Sequence, residues 1–255
     1  MKLRGNIFFL LKSIKSDYEI LNKIHKKIIE HNSLSYDSFN IVSFDFMPNF
    51  DNIVKCNNHY HVEQDILSRV NYLNFYNDIR PEKKATNKKL NELLNEIEGL
   101  NVKKYIDEKS KTLAYRFYEN GLYINYIKYD ENDKIKLIDF IAEDRSKTKR
   151  YEFDMQGNLV RIRHYNSLGE LSLDRYMDNE ENCYLSTWVK NGKVTRVQYH
   201  EETMEYSTLN ILKSNWLKRI ISNHENPIIV TPNNNTHNIL MDVNYIPIIQ
   251  NIESL

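Results

Sequence analysis

The sequence predicts an α/β protein with an inserted antiparallel β-meander. Short apolar runs alternate with helical patterns at both ends of the 255-residue chain. The middle instead shows two-residue alternation of apolar and polar residues, with turn signals at regular intervals. Because the α/β pattern returns after the middle, one split domain is predicted. Its boundaries are 1-101 and 203-255, and the inserted meander covers 102-202.

The first region alternates strands and helices. The run "NIFFLLKSI" is short and continuously apolar, as in a buried parallel strand, and "FNIVSFDF" predicts a second strand. Between them, "DYEILNKIHKKIIEHN" has apolar residues at helical spacing after Asp17, a candidate N-cap. A further helical pattern covers about 61 to 77. Strand, helix and strand at this spacing predict a right-handed βαβ unit, the opening of a doubly wound, Rossmann-like sheet.

The middle region predicts a meander of about eight strands. Its turn signals include "ENG", "DEND", "QGN", "LGE" and "NGK", and four of the six glycines of the chain lie at such turns. An aromatic residue recurs once in each repeat of the second half: Tyr151, Tyr165, Tyr176 and Trp188. Three of these repeats reach a turn glycine, and the third carries "NEEN" instead.

The last region returns to helix and strand. The stretch "TLNILKSNWLKRIISNH" predicts an amphipathic helix, and "ENPIIVTP" predicts another buried strand. The polar loop "NNNTHN" then follows at the predicted carboxyl edge of the sheet, where such folds bind ligands. The tail "MDVNYIPIIQNIESL" predicts an exposed apolar surface or a segment folded over the core, with a frayed terminus as the alternative.

Composition excludes several classes of protein. The formal net charge is zero and both signs are interspersed, so no basic field favours nucleic acid. No segment approaches the roughly 20 apolar residues of a membrane span. The two cysteines, Cys56 and Cys183, form neither a disulfide framework nor a zinc ligand set. We therefore expect a cytoplasmic protein, at most at the inner face of the membrane.

Individual candidates for chemistry are few. The loop "KSIKSD" after the first strand lacks the glycines of a phosphate-binding turn. His59 and His61 read as loop histidines rather than metal ligands, because no carboxylate or histidine cluster surrounds them. Asp45, at the end of the second strand, is either a turn former or a ligand-binding acid. Cys183 is predicted to be a small core or edge residue. No metal and no cofactor is predicted.

The order of these segments resembles a known family. The stretch "FNIVSFDFMPNFDNIV", the Tyr-rich meander and "LNILKSNWLKRIISNHENPIIVTP" together resemble the amino-terminal half of a group of retaining GT-B glycosyltransferases. The group glycosylates wall teichoic acid of the poly(glycerol-phosphate) and poly(ribitol-phosphate) types, or adds N-acetylglucosamine to serine-rich adhesins in the accessory Sec system. The resemblance covers nearly the whole chain. It implies an incomplete GT-B protein with only the first Rossmann-like domain, whose meander serves oligomerisation and acceptor engagement.

Two departures from the family pattern limit this inference. Family members usually carry a glycine-containing loop after the first strand, where this chain has "KSIKSD". Their nucleotide-sugar site lies mainly in a second Rossmann domain, and this sequence ends at Leu255. No catalytic, cofactor-binding or metal-binding role is therefore transferred to any residue.

The resemblance implies sugar transfer from a UDP-sugar to teichoic acid or a Ser-rich protein, with no activity of the chain alone. The alternative is a non-catalytic protein-binding or assembly module built on the meander. Hairpin repeats of this kind also occur in unrelated interaction and immunity-like proteins, but the flanking α/β segments argue against that reading. Expected partners are a second copy bound through the meander, a separate glycosyltransferase subunit, or a cell-wall polymer or Ser-rich polypeptide as acceptor. The four repeat aromatics are expected to form one row, facing such a partner or packed in the core.

Overall fold

The computed structural model describes residues 5–30, 38–57, 70–86, 88–231, 239–240 and 248–249. The chain divides into two compact units, Met1–Ile79 with Asn210–Leu255, and Arg80–Leu209. We call them the parallel unit and the meander unit.

The parallel unit contains a five-stranded sheet flanked by helices. Its elements are β1 (Asn6–Leu11), α1 (Tyr18–Glu30), β2 (Ser38–Ser43), α2 (Phe50–Asn57), β3 (Val70–Asn74) and α3 (Phe75–Asp78). The order in the sheet is β3-β2-β1, followed by the last two described strands of the sequence, whose bounds are given below. Every pairing is parallel. Strand numbers thus ascend on both sides of β1, as in a doubly wound sheet. The predicted α/β opening is confirmed.

The core of this unit lies between β1, β2 and helices α1 and α2. All six residues of β1 are buried, which explains its continuous apolar run. Helix α1 contributes Leu21, Ile24 and Ile28 to this core, at the helical spacing that predicted it.

The segment 61–77 differs from its predicted helix. Val70–Asn74 forms β3, paired with β2 from Phe39↔Val70 to Ser43↔Asn74, and within residues 70–78 the helix is limited to the single turn Phe75–Asp78. The apolar spacing of so short a run fits either structure, and pairing with β2 decides for the strand. Residues 58–69 lie outside the described part of the chain.

The meander unit is built on one antiparallel sheet of ten strands rather than about eight. Each strand pairs with the next along the chain, from β4 at one edge to β13 at the other. Helix α4 (Lys88–Glu96) precedes ten strands: β4 (Asn101–Ile106), β5 (Leu113–Glu119), β6 (Leu122–Tyr129), β7 (Ile135–Ile141), β8 (Lys147–Phe153), β9 (Leu159–Tyr165), β10 (Leu171–Met177), β11 (Cys183–Lys190), β12 (Lys193–Tyr199) and β13 (Met204–Tyr206).

Helix α4 belongs to the meander unit because it packs on one face of the sheet. Its Leu93 lies in one core cluster with Ile138, Tyr151 and Phe153, among others. The unit consequently begins at Arg80 and not at residue 102, where the change of sequence period lies. The hydrophobic stripe of α4 has its partner on the sheet that follows it.

The meander turns show how the "NEEN" repeat forms its turn without a glycine. In the "QGN" turn, Gly157 has a φ of +86°, and the Asp154 carboxylate accepts the amides of Gln156 and Asn158 at 2.9 Å each. In "NEEN", Glu181 occupies the same left-handed region at +66°. Its carboxylate oxygens accept the amide of Lys89 at 2.9 and 3.0 Å and so cap the first turn of α4.

The chain returns to the parallel sheet through α5 (Leu209–Ser222), β14 (Pro227–Val230) and β15 (Ile248–Ile249). Ile248 and Ile249 pair with Ile229 and Val230, so part of the tail is an outer strand of the sheet. The predicted positions of Val243, Ile246 and Ile252, and the loop "NNNTHN", lie outside the described residues.

Candidate functional site at the carboxyl edge of the parallel sheet

Asp45 is held in place at the carboxyl end of β2. The backbone amides of Phe44 and Asp45 both donate to the carbonyl oxygen of Lys12, at 3.1 and 2.9 Å, which ties this loop to the one after β1. The buried side chain of Asn74, at the end of β3, donates to the carbonyl oxygen of Asp45 and to the Ser43 hydroxyl at 2.9 Å each. The backbone of Asp45 is therefore fixed from two neighbouring strands.

Lys213 of α5 extends over the same edge. Its Nζ lies 5.9 Å from the ring centroid of Phe44 and 5.6 Å from those of Phe75 and Tyr76. These distances are at the outer limit of cation–π contacts. Lys213 projects between the buried residues Leu212, Trp216 and Leu217 of the helix, so its half-buried side chain lies on an otherwise apolar face.

Burial shifts both groups toward neutrality. It raises the pKa of the Asp45 carboxyl, which Lys12 and Lys213 partly counteract by their positive charge. It lowers the pKa of Lys213 to about 8, against the opposing effect of Asp45. The rings favour the ammonium form, but at these distances desolvation outweighs them. The pair thus offers a carboxylate and an amine that exchange protons nearer to neutral pH than free side chains do.

The N-terminus of α1 meets the same edge but is closed by its own acid. The carboxylate of Asp17 accepts the backbone amide of Ser13 at 3.1 Å. An oxyanion of a ligand would occupy a comparable position in a phosphate-binding turn. Among the groups that act on the Asp45 carboxyl, Lys12 and Lys213 balance Asp17 and Asp45 itself in formal charge. The arrangement suits a hydroxyl-bearing ligand better than a diphosphate.

The four repeat aromatics do not form one row. Tyr151 lies opposite Ile138 and Ile162, whereas Tyr176 lies opposite Arg161 and Leu185. Because Arg161 and Ile162 are neighbours in β9, their side chains point to opposite faces, and so do Tyr151 and Tyr176.

The remaining two aromatics lie nearer to solvent. Trp188 pairs with Leu173, and Leu173 pairs with His164. His164 lies two residues from Ile162, the partner of Tyr151 in β9, so Trp188 lies on the same face of the sheet as Tyr151. Tyr165 is half-buried near the β9–β10 turn, with the Lys147 ammonium 4.1 Å from its ring centroid. The repeat length varies between 11 and 14 residues and β-bulges interrupt the register, so a constant position in the repeat is not a constant face.

The face that carries Tyr176 is lined by paired charges. Arg150 donates to both carboxylate oxygens of Asp139 at 2.7 Å, and Arg161 binds Asp174 in the same two-pronged way, with Nε to Oδ1 at 2.9 Å. Asp139 and Asp174 are buried, and the Arg161 guanidinium lies 5.0 Å from the Tyr176 ring centroid. Tyr176 is therefore packed within a charge network rather than presented to a partner.

Cys183 is half-buried at the margin of the α4 core, near the position predicted for it. Its Sγ lies 3.3 Å from the Ser186 hydroxyl, which lies 3.0 Å from Nε2 of His200. His59 and His61 lie outside the described residues. In the part of the chain that is described, no three His, Cys, Asp or Glu residues come together as a metal site.

The sequence analysis did not predict a role for Lys213, although its position among the apolar residues of the helix indicates one. On a helical wheel it falls in the middle of the arc formed by Leu212, Trp216, Leu217 and Ile221, all of them buried. A lysine inside an apolar arc indicates a desolvated amine. None of the described helices has the length and apolar character required to cross a bilayer.

Comparison with known proteins gives the same group that the sequence resembles. No family model matches the chain. Over 95 residues it is 32% identical to an accessory Sec system protein of Staphylococcus aureus, a match that covers 35% of this chain and 18% of that protein. In fold it matches S. aureus TarM, crystallised as a variant with fondaparinux, α-GlcNAc-glycerol and UDP, with a TM-score of 0.69, 16% identity and coverage of 96% of this chain and 49% of TarM.

A second solved structure with this fold is the Glycosylation Associate Protein (Gap123) complex from Streptococcus agalactiae. The TM-score is 0.59 at 15% identity, and the match covers 93% of this chain and 54% of that one. The chain thus spans about half the length of the solved structures it matches. The resemblance to the teichoic acid and accessory Sec glycosyltransferase group is confirmed, in fold throughout and in sequence over the 95 matched residues.

Proposed function

We propose that these residues form the acceptor-side half of a bacterial cell-surface glycosyltransferase assembly. The half would hold a hydroxylated acceptor for sugar transfer from a UDP-sugar. The observation that carries the proposal is the extent of the fold match, 96% of this chain against 49% of a protein crystallised with UDP and α-GlcNAc-glycerol.

The balance of charge at the sheet edge favours an acceptor over a donor. A departing nucleoside diphosphate needs concentrated positive charge or several hydrogen-bond donors, whereas an acceptor hydroxyl needs a proton acceptor. Asp45 supplies such an acceptor, and Lys213 beside it balances its charge. The diphosphate would be bound elsewhere in the assembly, so the 255 residues alone are expected to transfer no sugar.

Binding and transfer assays on the purified chain test this proposal. Teichoic acid or a Ser-rich peptide should bind saturably, whereas no sugar should be incorporated from UDP-glucose or UDP-N-acetylglucosamine above a no-protein blank. Asp45→Asn should weaken acceptor binding about tenfold or more. Asp51→Asn, an exposed acid on α2, serves as the matched control and should change nothing. Incorporation by the chain alone, or equal binding by both variants, contradicts the proposal.

A second candidate function is assembly with another subunit. The match to the Gap123 complex supports it, and so does the exposed outer strand β4, where Val102 and Ile106 retain 54% and 56% of their accessible surface. An unpaired edge with exposed apolar side chains is a common place for strand pairing between chains. Tyr165 and Trp188, on interior strands of the sheet, are the candidates among the four aromatics for a separate contact through its face, because Tyr151 and Tyr176 are buried.

Sedimentation velocity separates this second function from the first. A concentration-dependent increase in sedimentation coefficient that Val102→Lys abolishes would support assembly through β4. An unchanged monomer at all concentrations would leave only a different protein as the partner.

A further inference from the structure

A cavity of about 260 Å³ lies within the meander unit, beneath the C-terminal end of α4. Leu93, Ile97 and Leu100 line it from the helix and the turn that follows. Ile124, Asn125, Ile138 and Phe140 line it from the sheet, with Glu96 and Glu119 also in the wall. Drug-sized ligands use cavities of roughly 300–1,000 Å³, so this one admits a smaller molecule, about one six-membered ring in size.

A β-bulge directs two consecutive side chains into the cavity. Phe117 pairs with Asn125 and Tyr118 with Tyr123, which leaves Ile124 as an additional residue in β6. Two neighbours in a regular strand would point to opposite faces, but here both Ile124 and Asn125 line the same cavity.

Asn125 lines the cavity with an amide that makes no side-chain hydrogen bond to any described residue. The residue retains 7% of its accessible surface, but its amide atoms are not among the fully buried atoms that lack a partner. They are therefore open to whatever occupies the cavity, and a ligand or water can bond to them there. An amide offers donors and an acceptor at once, which matches a hydroxyl group.

The other polar groups of the cavity restrict the charge of this ligand. Glu96 and Glu119 form no ion pair with any described residue, and their carboxylates only accept hydrogen bonds. They repel phosphates and carboxylates. A cationic ligand would have to share the Phe140 ring with Lys149, whose ammonium already lies 5.4 Å from the ring centroid. A neutral molecule that donates several hydrogen bonds remains.

We propose that this cavity binds one neutral pyranose unit of a glycosylated acceptor. The apolar face of the ring packs on Phe140 and the isoleucines, while its hydroxyls bond to Asn125 and the two carboxylates. The identity of the sugar's source depends on the proposed function, since a sugar-bearing acceptor is its expected substrate. The cavity would hold a sugar that the acceptor already carries.

Titration with monosaccharides tests the cavity by itself. Glucose and N-acetylglucosamine are added to the ¹⁵N-labelled chain, with choline as a cationic probe and glycerol phosphate as an anionic one. We expect saturable shifts at Asn125 and Phe140 with a Kd of about 1 mM for at least one sugar, as is usual for a single small ring. Neither charged probe should saturate.

Three variants make the result decisive. Asn125→Val should abolish the sugar-induced shifts while the melting temperature holds or rises, because no described residue loses a hydrogen-bond partner. Glu119→Gln should weaken binding several-fold, whereas Glu131→Gln, on the exposed β6–β7 turn, should leave it unchanged.

Several outcomes overturn the inference. These are no saturation by either sugar up to about 100 mM, saturation by choline instead, or sugar binding that survives in Asn125→Val. They are distinguishable from a failure of the proposed function. If acceptor polymer binds and monosaccharide does not, only the cavity inference is lost; if monosaccharide binds and polymer does not, only the acceptor-side function is lost.

Discussion

The strands described in the parallel unit carry no Asp, Glu, Lys or Arg, and its charged pair Asp45 and Lys213 lies beyond the strand ends. In the meander unit, by contrast, Asp139, Arg150 and Asp174 lie in mid-strand. Parallel strands covered on both faces leave no room for a charge along their length. An antiparallel strand can give every second residue to a polar network. The first arrangement restricts chemistry to one edge, whereas the second distributes it over a face.

The largest expected effect is the loss of a buried charge in the meander. Asp174→Asn removes the nearest carboxylate of the largely buried Arg161 and one that Arg163 also faces at 3.5 Å, and leaves Arg161 only Glu152, at 3.8 Å. We expect a loss of about 3 kcal/mol in the free energy of unfolding, since breaking a buried ion pair on one side is costly. Denaturant unfolding measures it.

An exposed pair in the same sheet provides the control. Arg196 and Glu205 form an ion pair with about half of each side chain exposed. Glu205→Gln should therefore cost less than about 1 kcal/mol. Equal losses for Asp174→Asn and Glu205→Gln would show that the network on the Tyr176 face is not buried as described.

The second effect concerns pH and Lys213. Its folded-state pKa of about 8 is below that of an unfolded lysine, so between these values the unfolded chain binds more protons. The contribution of this residue to stability is unfavourable at pH 7 and improves as the pH rises from about 8 to about 10.4. Lys213→Met should add roughly 2 kcal/mol at pH 7 and remove this rise.

Unfolding at a series of pH values, with Lys23→Met as an exposed control on α1, isolates the contribution of Lys213. A difference between wild type and Lys213→Met that stays constant from pH 7 to pH 10 would contradict a desolvated amine. The difference in stability would then come from the packing of the Lys213 side-chain methylenes on Phe44 and Phe75.

The third effect tests the turn in which Glu181 stands at a positive φ and caps α4. Glu181→Ala keeps a side chain at a φ of +66° and removes the cap on Lys89, so we expect a loss of about 1–2 kcal/mol. Glu181→Gly also removes the cap but relieves the backbone, and should recover about 1 kcal/mol of that loss. If the two variants unfold alike in denaturant, strain at this position does not matter.

The same contrast between the units explains what the sequence could predict. Buried parallel strands have a distinctive composition, so β1, β2 and β14 could be predicted. Because topology brings the ends of these strands together, Asp45 could be predicted as a candidate site residue. The faces of Tyr151 and Tyr176 could not, because a one-residue bulge reverses the side to which a side chain points. For the same reason no pattern in "LYINYIKY" indicated that Ile124 and Asn125 share a cavity. Strand β3 was misread because five residues are too few to establish a period.

The smallest expected effect on stability is at Trp188. Its ring is half-buried under the Arg196 guanidinium, 4.5 Å from the centroid, so Trp188→Ser should cost about 1 kcal/mol or less. Tyr176→Ser, at 4% exposure, should cost about 3 kcal/mol.

If the Trp188 face binds a second copy, Trp188→Ser also lowers the sedimentation coefficient to that of one chain while the melt hardly changes, because large aromatics dominate interface energies. A melt as poor as that of Tyr176→Ser would make Trp188 a core residue, and a variant that both melts and sediments like wild type would exclude it from core and interface alike.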